Sequence, residues 1–353
     1  MGNLKIIASS KNWIDSKAVE ALQNIAKYKG VKSVVALPDL SVGLVPNGAA
    51  ILSEDRIFPH LIGSDIGCGM SLFKTEAKPK KIKLEKFVKF LSKIETLNDI
   101  EVDMPELGYN LGTIGKGNHF AELHLVNEVQ DTKLFKQLWL SEESLYLLIH
   151  SGSRAFGQIV FNRISSKYQP SEGLSESEAS NYLKEHKKAI EYAKLSRQMI
   201  AKRLLKAIKL EPNIKCVSDT AHNSITKTAN GWLHRKGATP TNKGAVIIAG
   251  SRGSLSYLVM PTNNTKKSNY SLAHGAGRKW ERKMAFAKLK EQFSKESLSR
   301  SEIGTRVVCR DSKLLYEEAP KAYKNIDIVI SDLVEANLAT VIATFKPILT
   351  YKE

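Results

Sequence analysis

The sequence predicts an α+β fold in a single domain, and three observations support this prediction. The 353 residues, of which 42% are hydrophobic and 25% charged, are enough for one large core or two ordinary ones. Helix-like and strand-like segments follow each other in mixed order along the chain. Neither an internal repeat nor a low-complexity linker divides it. We therefore expect one domain over 1–353.

The N-terminal half is expected to be rich in strands. A helix is predicted over 16–27, because Ala, Leu and Ile recur on one face, and the apolar run SVVALPD at 33–39 predicts a short buried strand. A Gly-rich, strand-like region follows to about residue 160. Within it, the lysine-rich run 74–93 has apolar residues at helical spacing, which predicts an amphipathic helix with a solvated lysine face. Contact of the same lysines with phosphate is the alternative.

The C-terminal half contains the strongest helical signal. A long helix, or two, is expected from Ser175 to Lys209, and Glu178 completes a capping box with Ser175. This segment lies between motif-bearing segments and carries no motif, so we predict a helical insertion over 170–211 within the domain. Further along, residues 327–346 predict a closing helix that the following proline ends.

Charge and cysteine content narrow the class of protein. The formal net charge of +17 favours a polyanionic partner, because neutralising phosphates releases condensed counterions. Three widely spaced cysteines argue against a disulfide framework and for a reducing compartment, and we expect Cys216 and Cys309 to be core residues. No apolar run approaches the roughly 18 residues of a membrane helix, and the N-terminus lacks a signal-peptide pattern. The sequence therefore predicts a cytoplasmic protein without a membrane segment.

The stretch GSDIGCGM at 63–70 places Asp65 and Cys68 three residues apart among three glycines. Five of the eight histidines lie beside Gly, Asn, Ser or Arg, namely His119, His150, His222, His234 and His274. Together these side chains offer imidazole nitrogens, one thiolate and one carboxylate, which are the ligands of a transition-metal site. Because CxxC, HExxH and closely paired histidines are absent from the sequence, the ligands have to converge from distant segments, as in a catalytic pocket. One thiolate can bridge two Mn or Zn ions, and two-metal sites recur in phosphoryl chemistry.

The glycine-rich motifs indicate a bound phosphate. GTIGKG at 112–117 is not the dinucleotide fingerprint GxGxxG, and the P-loop pattern does not occur. Instead, GKGNH, HSGSR, AGSRGS and HGAGR each place small residues beside a hydrogen-bond donor. Such segments offer backbone N–H groups with Arg or Ser side chains to phosphate oxygens. Together with the metal ligands and the positive charge, they favour a bound nucleotide or nucleic-acid phosphate.

An ordered set of motifs carries a family resemblance: DIGCGM, GNHF followed by Glu122, HSGSR, HNS, HRKGAT, GSxGxxSY and HGAGR. With PDLSVG at 38–43 and KPILTYK at 346–352, this set resembles the RtcB family of RNA-splicing ligases. The resemblance implies one domain with mixed β-sheets around a central metal- and nucleotide-binding cleft. The short chain and particular substitutions resemble the bacterial branch coupled to release factor H, which suggests a functional link to a release-factor homologue.

The resemblance also implies a reaction. Family members use GTP and Mn²⁺ to join an RNA end carrying a 3′-phosphate or 2′,3′-cyclic phosphate to a 5′-hydroxyl end, as in tRNA splicing and RNA repair. A histidine is first guanylylated, GMP then passes to the RNA 3′-phosphate, and the 5′-hydroxyl displaces it. By motif match that histidine is His274, and a neutral imidazole is a competent nucleophile toward the α-phosphate of GTP.

The remaining site residues follow from the same resemblance. Asp65, Cys68 and His119 match the ligands of one Mn²⁺, and Cys68, His150 and His222 match those of the second, with Cys68 bridging. The family's GMP-contacting positions are occupied by Asn118, His119, Phe120, Ala121, Glu122, His222, Asn223, Ala249, Gly250, Ser251, Arg252, Ser256, His274, Gly275, Ala276, Gly277 and Lys352. RNA-phosphate contacts are expected from the basic residues Arg154, His234, Arg235, Lys236 and Arg278.

Three positions depart from the family pattern. Ser41 stands where members usually have His, Ala249 replaces a usual Pro, and Arg252 replaces a usual Met. None of these changes removes a metal ligand or His274, so we expect the chemistry to survive, whereas RNA specificity and the geometry around the guanine stay open. Arg252 either adds a phosphate contact or is solvated.

Two other classes of function are alternatives. A binuclear metal phosphoesterase that hydrolyses RNA ends could use the same ligands to activate water. A non-catalytic RNA-binding protein could hold a structural metal. His274 discriminates between them and a ligase, since a hydrolase needs no nucleophilic histidine beside GAGR and a binding module needs no open coordination position.

Overall fold

A computed structural model describes residues 2–102 and 111–353 and confirms an α+β fold. Its strands are β1 (Asn3–Ile6), β2 (Val31–Ser41), β3 (Asn47–Ser53), β4 (Gly69–Thr75), β5 (Phe120–Val129), β6 (Tyr146–Ser151), β7 (Ile214–Ala221), β8 (Asn223–Thr228), β9 (Gly231–Lys236), β10 (Ala238–Pro240), β11 (Val246–Ile248), β12 (Ser256–Pro261), β13 (Ser271–Ala273), β14 (Arg306–Cys309) and β15 (Ala339–Lys352). Its helices are α1 (Ser16–Ile25), α2 (Pro59–Ile62), α3 (Leu84–Leu91), α4 (Thr132–Gln137), α5 (Arg154–Ser165), α6 (Ser180–Ala207), α7 (Arg282–Lys290), α8 (Lys295–Leu298), α9 (Ser312–Glu317) and α10 (Ile326–Glu335).

The first sheet has five strands in the order β1-β2-β3-β9-β8. Only its β1–β2 pair is parallel, and the other neighbours are antiparallel. The apolar face of α1, with Leu22 and Ile25, packs in one core with Val34 and Ile51 of this sheet. The helix expected over 16–27 is therefore α1, and the strand expected over 33–39 lies within β2.

The second sheet has eight strands, in the order β11-β12-β15-β5-β6-β4-β7, and β14 pairs with β15 off this path. Leu147 and Ile149 of β6 pack in one core with Ile200 and Leu204 of α6. Strands β10 and β13 form a separate, short antiparallel pair. The long helix α6 is thus part of the core that supports the eight-stranded sheet.

The capping box expected at the start of the long helix forms, but one turn before the helix itself. The Ser175 N–H donates to Glu178 Oε2 at 2.7 Å, and the Glu178 N–H donates to Ser175 Oγ at 3.4 Å. Helix α6 begins at Ser180 and runs unbroken to Ala207, so one helix forms rather than two. The boundary of an insertion over 170–211 stays a prediction.

The expectation of a closing helix over 327–346 is wrong beyond residue 335. Asn337 adopts a left-handed conformation with φ of 49°, and the Leu338 N–H donates to the Leu333 carbonyl at 2.9 Å, which closes the helix with a Schellman motif. The β-branched residues that follow form β15 instead. Pro347 lies within this strand, at a shift in its register with β5, where a missing N–H is tolerated.

The lysine-rich run forms an amphipathic helix only in part, over α3, where Phe87 and Leu91 are buried and the lysines are exposed.

The expectation that Cys216 is a core residue is wrong, because this residue lies on the edge strand β7 and is exposed. Cys309 is half-buried against an apolar cluster. Within 2–102 and 111–353, the helices include none with the length and apolar content of a membrane span.

Candidate active site

Strand register brings the predicted metal ligands together at one end of the eight-stranded sheet. Gly69, at the start of β4, pairs with Ser151 of β6 on one side and with Ala221 of β7 on the other. The residues next to these three positions are Cys68, His150 and His222. Phe120 of β5 pairs with His150, which places the preceding His119 beside the same group. Ligands far apart in the sequence therefore converge because their strands are neighbours.

The Cys68 sulfur is the centre of this group. It lies 3.3 Å from His119 Nε2 and 3.2 Å from His150 Nε2. His150 Nε2 lies 3.3 Å from His222 Nε2, and His119 Nε2 lies 3.0 Å from Asp65 Oδ2. Two sets of three donors result, Asp65 with Cys68 and His119, and Cys68 with His150 and His222, and in each set the ligand atoms lie within 4.8 Å of one another. Both sets share Cys68.

The protonation of these side chains fits a transition-metal site. The Nδ1–H of His150 donates to the Asn118 carbonyl at 3.1 Å, so Nε2 carries the lone pair that faces the cysteine. Burial lowers the pKa of His150 and of His222 well below the usual range, which keeps both rings neutral. Burial, together with the charge of Asp65, raises the pKa of the Cys68 thiol in the absence of a cation. The neutral imidazoles are already in the form that binds a metal, and a bound cation would offset the raised pKa of Cys68 by stabilising its thiolate.

Two residues outside the ligand set fix the loops that carry it. A Cβ on Gly152 would meet Asp65 Oδ1 at 2.1 Å, so only glycine leaves room for this carboxylate. Arg197 of α6 is fully buried, and one of its Nη atoms donates to the Gly67 carbonyl at 2.9 Å and to the Ser151 carbonyl at 3.0 Å. Its other Nη atom pairs with Asp219 at 2.8 Å. Helix α6 therefore supports the ligand loops, although it supplies no ligand.

His274 lies next to the donor group and has a carboxylate partner of its own. Its ring centroid is 4.5 Å from that of His222. The His274 Nδ1–H donates to Asp39 Oδ2 at 2.6 Å, and the His274 backbone N–H donates to the same oxygen at 3.0 Å. A Cβ on Gly237, which has φ of 61°, would lie 3.0 Å from the His274 ring, so this glycine permits the close approach of its strand.

A cavity of about 1310 Å³ opens onto these side chains. Its lining includes most of the positions predicted to contact a nucleotide, namely Asn118, Phe120, Glu122, His222, Asn223, Ala249, Gly250, Ser251, Arg252, His274, Gly275, Ala276, Gly277 and Lys352. His119 lines a neighbouring cavity instead, and Ala121 and Ser256 line neither. The Ala121 side chain packs in an apolar core, and Ser256 Oγ accepts the Gly250 N–H at 3.1 Å. These two residues support the cavity wall from behind.

Lys352, which looked like part of a surface tail in the sequence, is buried in the cavity wall. Its Nζ donates to the His119 carbonyl at 2.7 Å, and burial lowers its pKa. Glu122 is also buried, and its Oε2 lies 2.9 Å from His124 Nε2. The cavity thus combines a buried cation, a buried carboxylate and the aromatic ring of Phe120.

The basic residues expected to contact RNA phosphates divide into two groups. Lys236 and Arg278 line the large cavity, and Arg154 lines a second cavity. His234 and Arg235 line neither. The Phe58 N–H donates to His234 Nε2 at 2.9 Å, so His234 is a buried structural residue, and its expected phosphate contact is wrong for this structure. Arg235 is likewise buried and donates to side-chain and backbone oxygens of a neighbouring segment.

Arg252 is not solvated, which was one of the two alternatives expected for it, and its contact with a phosphate stays a prediction. It is buried, and its Nη atoms donate to the Leu315 carbonyl at 2.7 Å and to the Glu318 carbonyl at 3.1 Å. These carbonyls lie at the C-terminal end of α9, where a cation is favourable. Arg252 therefore holds α9 against the cavity wall.

Sequence reasoning missed three residues of the site. Asp39 is the last residue of the strand predicted over 33–39. The sequence predicts no functional role for it, because nothing in its local sequence connects it to His274. Glu318 and Tyr323 line the large cavity and hydrogen-bond to each other, and Glu318 also pairs with Arg278 at 3.1 Å. A buried carboxylate amid arginines leaves no sequence pattern, so only the fold identifies it.

The fold and site define a class of protein in which mixed sheets hold a cysteine-centred group of candidate metal donors beside a histidine. The model of the family described as "tRNA-splicing ligase RtcB" matches residues 21–106 and 101–353. The chain therefore belongs to the RtcB family.

Relatives of similar length support this membership. The chain is 41% identical to RNA-splicing ligase RtcB2 of Escherichia coli over 98% of this chain and 94% of the relative. It is 29% identical to tRNA-splicing ligase RtcB of Nanoarchaeum equitans, over 99% and 93% respectively. For tRNA-splicing ligase RtcB of Archaeoglobus fulgidus, the identity is 27% over 95% and 91%.

Proposed function

We propose that this protein is a GTP- and Mn²⁺-dependent ligase that joins RNA 3′-phosphate or 2′,3′-cyclic phosphate ends to 5′-hydroxyl ends. As a member of the RtcB family, it is an RNA ligase, in agreement with the names of its relatives. The observation that carries the finer proposal is the position of His274, whose ring lies 4.5 Å from that of His222 in the donor group. The nucleophile, the two sets of metal donors and a cavity large enough for a nucleotide therefore lie next to one another.

The hydrogen bond to Asp39 prepares His274 as a nucleophile. Since Nδ1 carries the proton that Asp39 accepts, the lone pair is on Nε2. Attack of Nε2 on the α-phosphorus of GTP forms a P–N bond and breaks the bond to the β-phosphate oxygen, so pyrophosphate leaves. Asp39 stabilises the positive charge that develops on the ring during the attack.

When the RNA ends in a 2′,3′-cyclic phosphate, water first opens the ring by breaking the P–O2′ bond, which leaves a 3′-phosphate and a 2′-hydroxyl. Two further displacements complete the proposed reaction. An oxygen of the RNA 3′-phosphate attacks the phosphorus of the histidine-bound GMP, which breaks the P–N bond and forms a phosphoanhydride between RNA and GMP. The 5′-hydroxyl of the second RNA end then attacks the 3′-phosphate and loses its proton, and GMP leaves. The product is a phosphodiester bond.

The donor sets fit the metal that the family implies. Asp65, Cys68 and His119 would hold one Mn²⁺, and Cys68, His150 and His222 would hold the other. Bound there, the two ions would supply Lewis-acid stabilisation of the charge on the reacting phosphates.

The large cavity supports the proposal that GTP binds beside His274. Glu122 offers carboxylate oxygens in its wall, and guanine presents N–H donors that such an acceptor recognises. Lys352 and Lys236 contribute positive charge to the same wall. The link to a release-factor homologue and the cytoplasmic location remain expectations from the sequence alone.

Labelling with GTP tests the proposal. After incubation with Mn²⁺ and GTP labelled at the α-phosphate, we expect a label on the protein that is labile in acid and stable in alkali, as a phosphoramidate is. His274→Ala should remove it. An unlabelled wild-type protein, or an undiminished label on the variant, would exclude guanylylation of His274.

A second experiment separates the ligase from the phosphoesterase alternative. Two RNA oligonucleotides, one with a 3′-phosphate and one with a 5′-hydroxyl, are incubated with protein, Mn²⁺ and GTP. A ligase gives a joined product that depends on GTP. Loss of the terminal phosphate without joining would favour the phosphoesterase.

A further inference from the structure

A second cavity, of about 700 Å³, approaches the donor group from another direction. It shares Ser64, Asp65, Asn118 and Arg282 with the large cavity, so the two meet at the metal donors. Its wall contains four cationic side chains and three carboxylates: Lys116, Arg154, Arg282, Lys313, Asp65, Asp311 and Glu317. Because Asp65 belongs to the donor set, the rest of the wall is left with a surplus of positive charge.

Helix α7 begins at the point where the two cavities meet, since Arg282 is its first residue. Outward from this point, exposed lysines lie over partly buried aromatic rings. Lys288 Nζ is 4.8 Å from the Trp280 ring centroid, and Lys290 Nζ and Lys313 Nζ are 5.4 Å and 5.8 Å from that of Phe286. We call Lys288, Lys290 and Lys313, with these two rings, the basic ridge.

We propose that the basic ridge is a docking surface for single-stranded RNA, whose phosphates continue from the ridge through the second cavity to the donor group. The proposal rests on the ligase function above, and it assigns the RNA a path separate from the cavity that holds GTP. Clustered exposed lysines are typical of surfaces that bind nucleic acid, because they neutralise phosphates, and the rings beneath them hold the ammonium groups in place through cation–π contacts.

Two observations favour the ridge over the lysine-rich surface formed by α3 and the segment before it. Lys313 belongs both to the ridge and to the wall of the second cavity, so the ridge is continuous with the site. The lysines of α3 and of the segment before it line neither cavity. The Lys313 side chain is exposed, and its ammonium group pairs with the largely buried carboxylate of Glu317 at 3.3 Å, a residue that also lines the second cavity.

The test compares two variants that each remove three exposed lysine charges. The ridge variant is Lys288→Gln/Lys290→Gln/Lys313→Gln, and the control on the other surface is Lys83→Gln/Lys86→Gln/Lys89→Gln. Binding of a short single-stranded RNA with a 3′-phosphate is measured at several salt concentrations. For the ridge variant we expect affinity to fall by roughly tenfold or more and the salt slope to decrease by about 2, at about 0.7 per lost phosphate contact.

The control variant should bind RNA with nearly the wild-type slope, and Lys288→Arg/Lys290→Arg/Lys313→Arg should restore binding. Equal losses in the ridge and control variants would overturn the proposal, as would wild-type binding by the ridge variant. Labelling of the ridge variant by GTP should equal that of the wild type. This readout separates the two proposals, because an unlabelled wild-type protein would contradict guanylylation while leaving the comparison of RNA affinities intact.

Discussion

The Nδ1 atom of His274 lies 2.6 Å from Oδ2 of Asp39, although 235 positions separate the two residues in the chain. Asp39 is fully buried near the end of β2, and Oδ2 also accepts the backbone N–H of His274. One oxygen therefore fixes both the position of the residue and the tautomer of its ring.

We expect Asp39→Asn to slow guanylylation of His274 by up to roughly 10⁴-fold, the loss seen when the carboxylate of a serine-protease triad becomes an amide. The amide can donate to Nδ1, which moves the ring proton to Nε2 and removes the nucleophilic lone pair. The rate of label transfer from GTP measures this effect, with the Mn²⁺ content of the variant as a control. Labelling at the wild-type rate would show that Asp39 does not position the ring.

Lys324 connects the two segments that carry this pair. Its Nζ donates to the Pro38 carbonyl at 3.0 Å, and its backbone N–H donates to the Gly277 carbonyl at 3.0 Å. We expect Lys324→Met to slow labelling by about tenfold without loss of Mn²⁺, on the scale of a small misplacement of reacting groups. Labelling rates and metal counts of the variant test this.

The same lysine predicts a pH dependence. Burial lowers the pKa of Lys324 to about 8, so the ammonium group loses its proton as the pH rises through 8. In the wild type we expect an alkaline decrease in labelling rate in this range. In Lys324→Arg the decrease should be absent, because arginine stays charged. An identical alkaline profile in both proteins would assign the decrease to another group.

Removal of Cys68 should cost more bound metal than removal of Asp65. Cys68 is common to both donor sets, whereas Asp65 belongs to one. We expect Cys68→Ala to lose both Mn²⁺ ions and Asp65→Ala to retain one. Metal analysis of the purified variants after equilibration with Mn²⁺ gives the counts, and equal losses would contradict a bridging thiolate.

Two buried histidines predict that the fold loses stability in mild acid. Burial lowers the pKa of His186 to about 4 and that of His234 to about 3, and each Nε2 accepts a backbone N–H, from Ile225 and Phe58 respectively. Above pH 6.5 these two histidines do not reduce the free energy of unfolding. Below pH 6.5 they reduce it, because the unfolded chain binds protons that the folded state excludes. Each histidine should lower the free energy of unfolding by about 1.4 kcal/mol per pH unit between 6.5 and 4.

Urea unfolding at pH 7 and pH 5 measures this loss. His186→Gln offers a control, since an amide oxygen can accept the Ile225 N–H without titrating. Its stability should fall less steeply between the two pH values. The same slope in variant and wild type would mean that other groups cause the acid loss.

Arg197→Met should destabilise the protein by about 3–5 kcal/mol, because Asp219 is left as a poorly compensated carboxylate in a largely buried place. Burial raises the pKa of Asp219, but the charge of Arg197 more than offsets this and holds the pKa below its usual value. Lys187→Met, an exposed change on the same helix, should stay within about 0.5 kcal/mol of the wild type. Urea unfolding of both variants provides the comparison.

Motif order and residue chemistry predicted which side chains meet in the site, because DIGCGM, HSGSR and HNS are short segments whose glycines and donors have few other uses. Local periodicity also predicted α1 and most of α6. It failed over 336–346, where the apolar residues fit both a helix and a buried strand. The left-handed turn at Asn337 and pairing with three other strands decide in favour of β15.

Residues that act through distant partners could not be predicted. Asp39, Arg197 and Lys324 have ordinary local sequences, and their roles arise from pairings that the fold alone creates. His234 shows the opposite error, since a basic motif suggested contact with phosphate where the ring in fact accepts a backbone hydrogen bond. Burial is a property of the three-dimensional packing, and a motif does not report it.

Asp39 belongs to the five-stranded sheet, whereas Cys68 and His150 belong to the end of the eight-stranded one. The proposed reactive groups therefore come from two different sheets, and a displacement of one sheet against the other by about one ångström is enough to misalign them. Mild heating or a low concentration of denaturant should abolish RNA ligation while the circular dichroism spectrum is still that of the native protein.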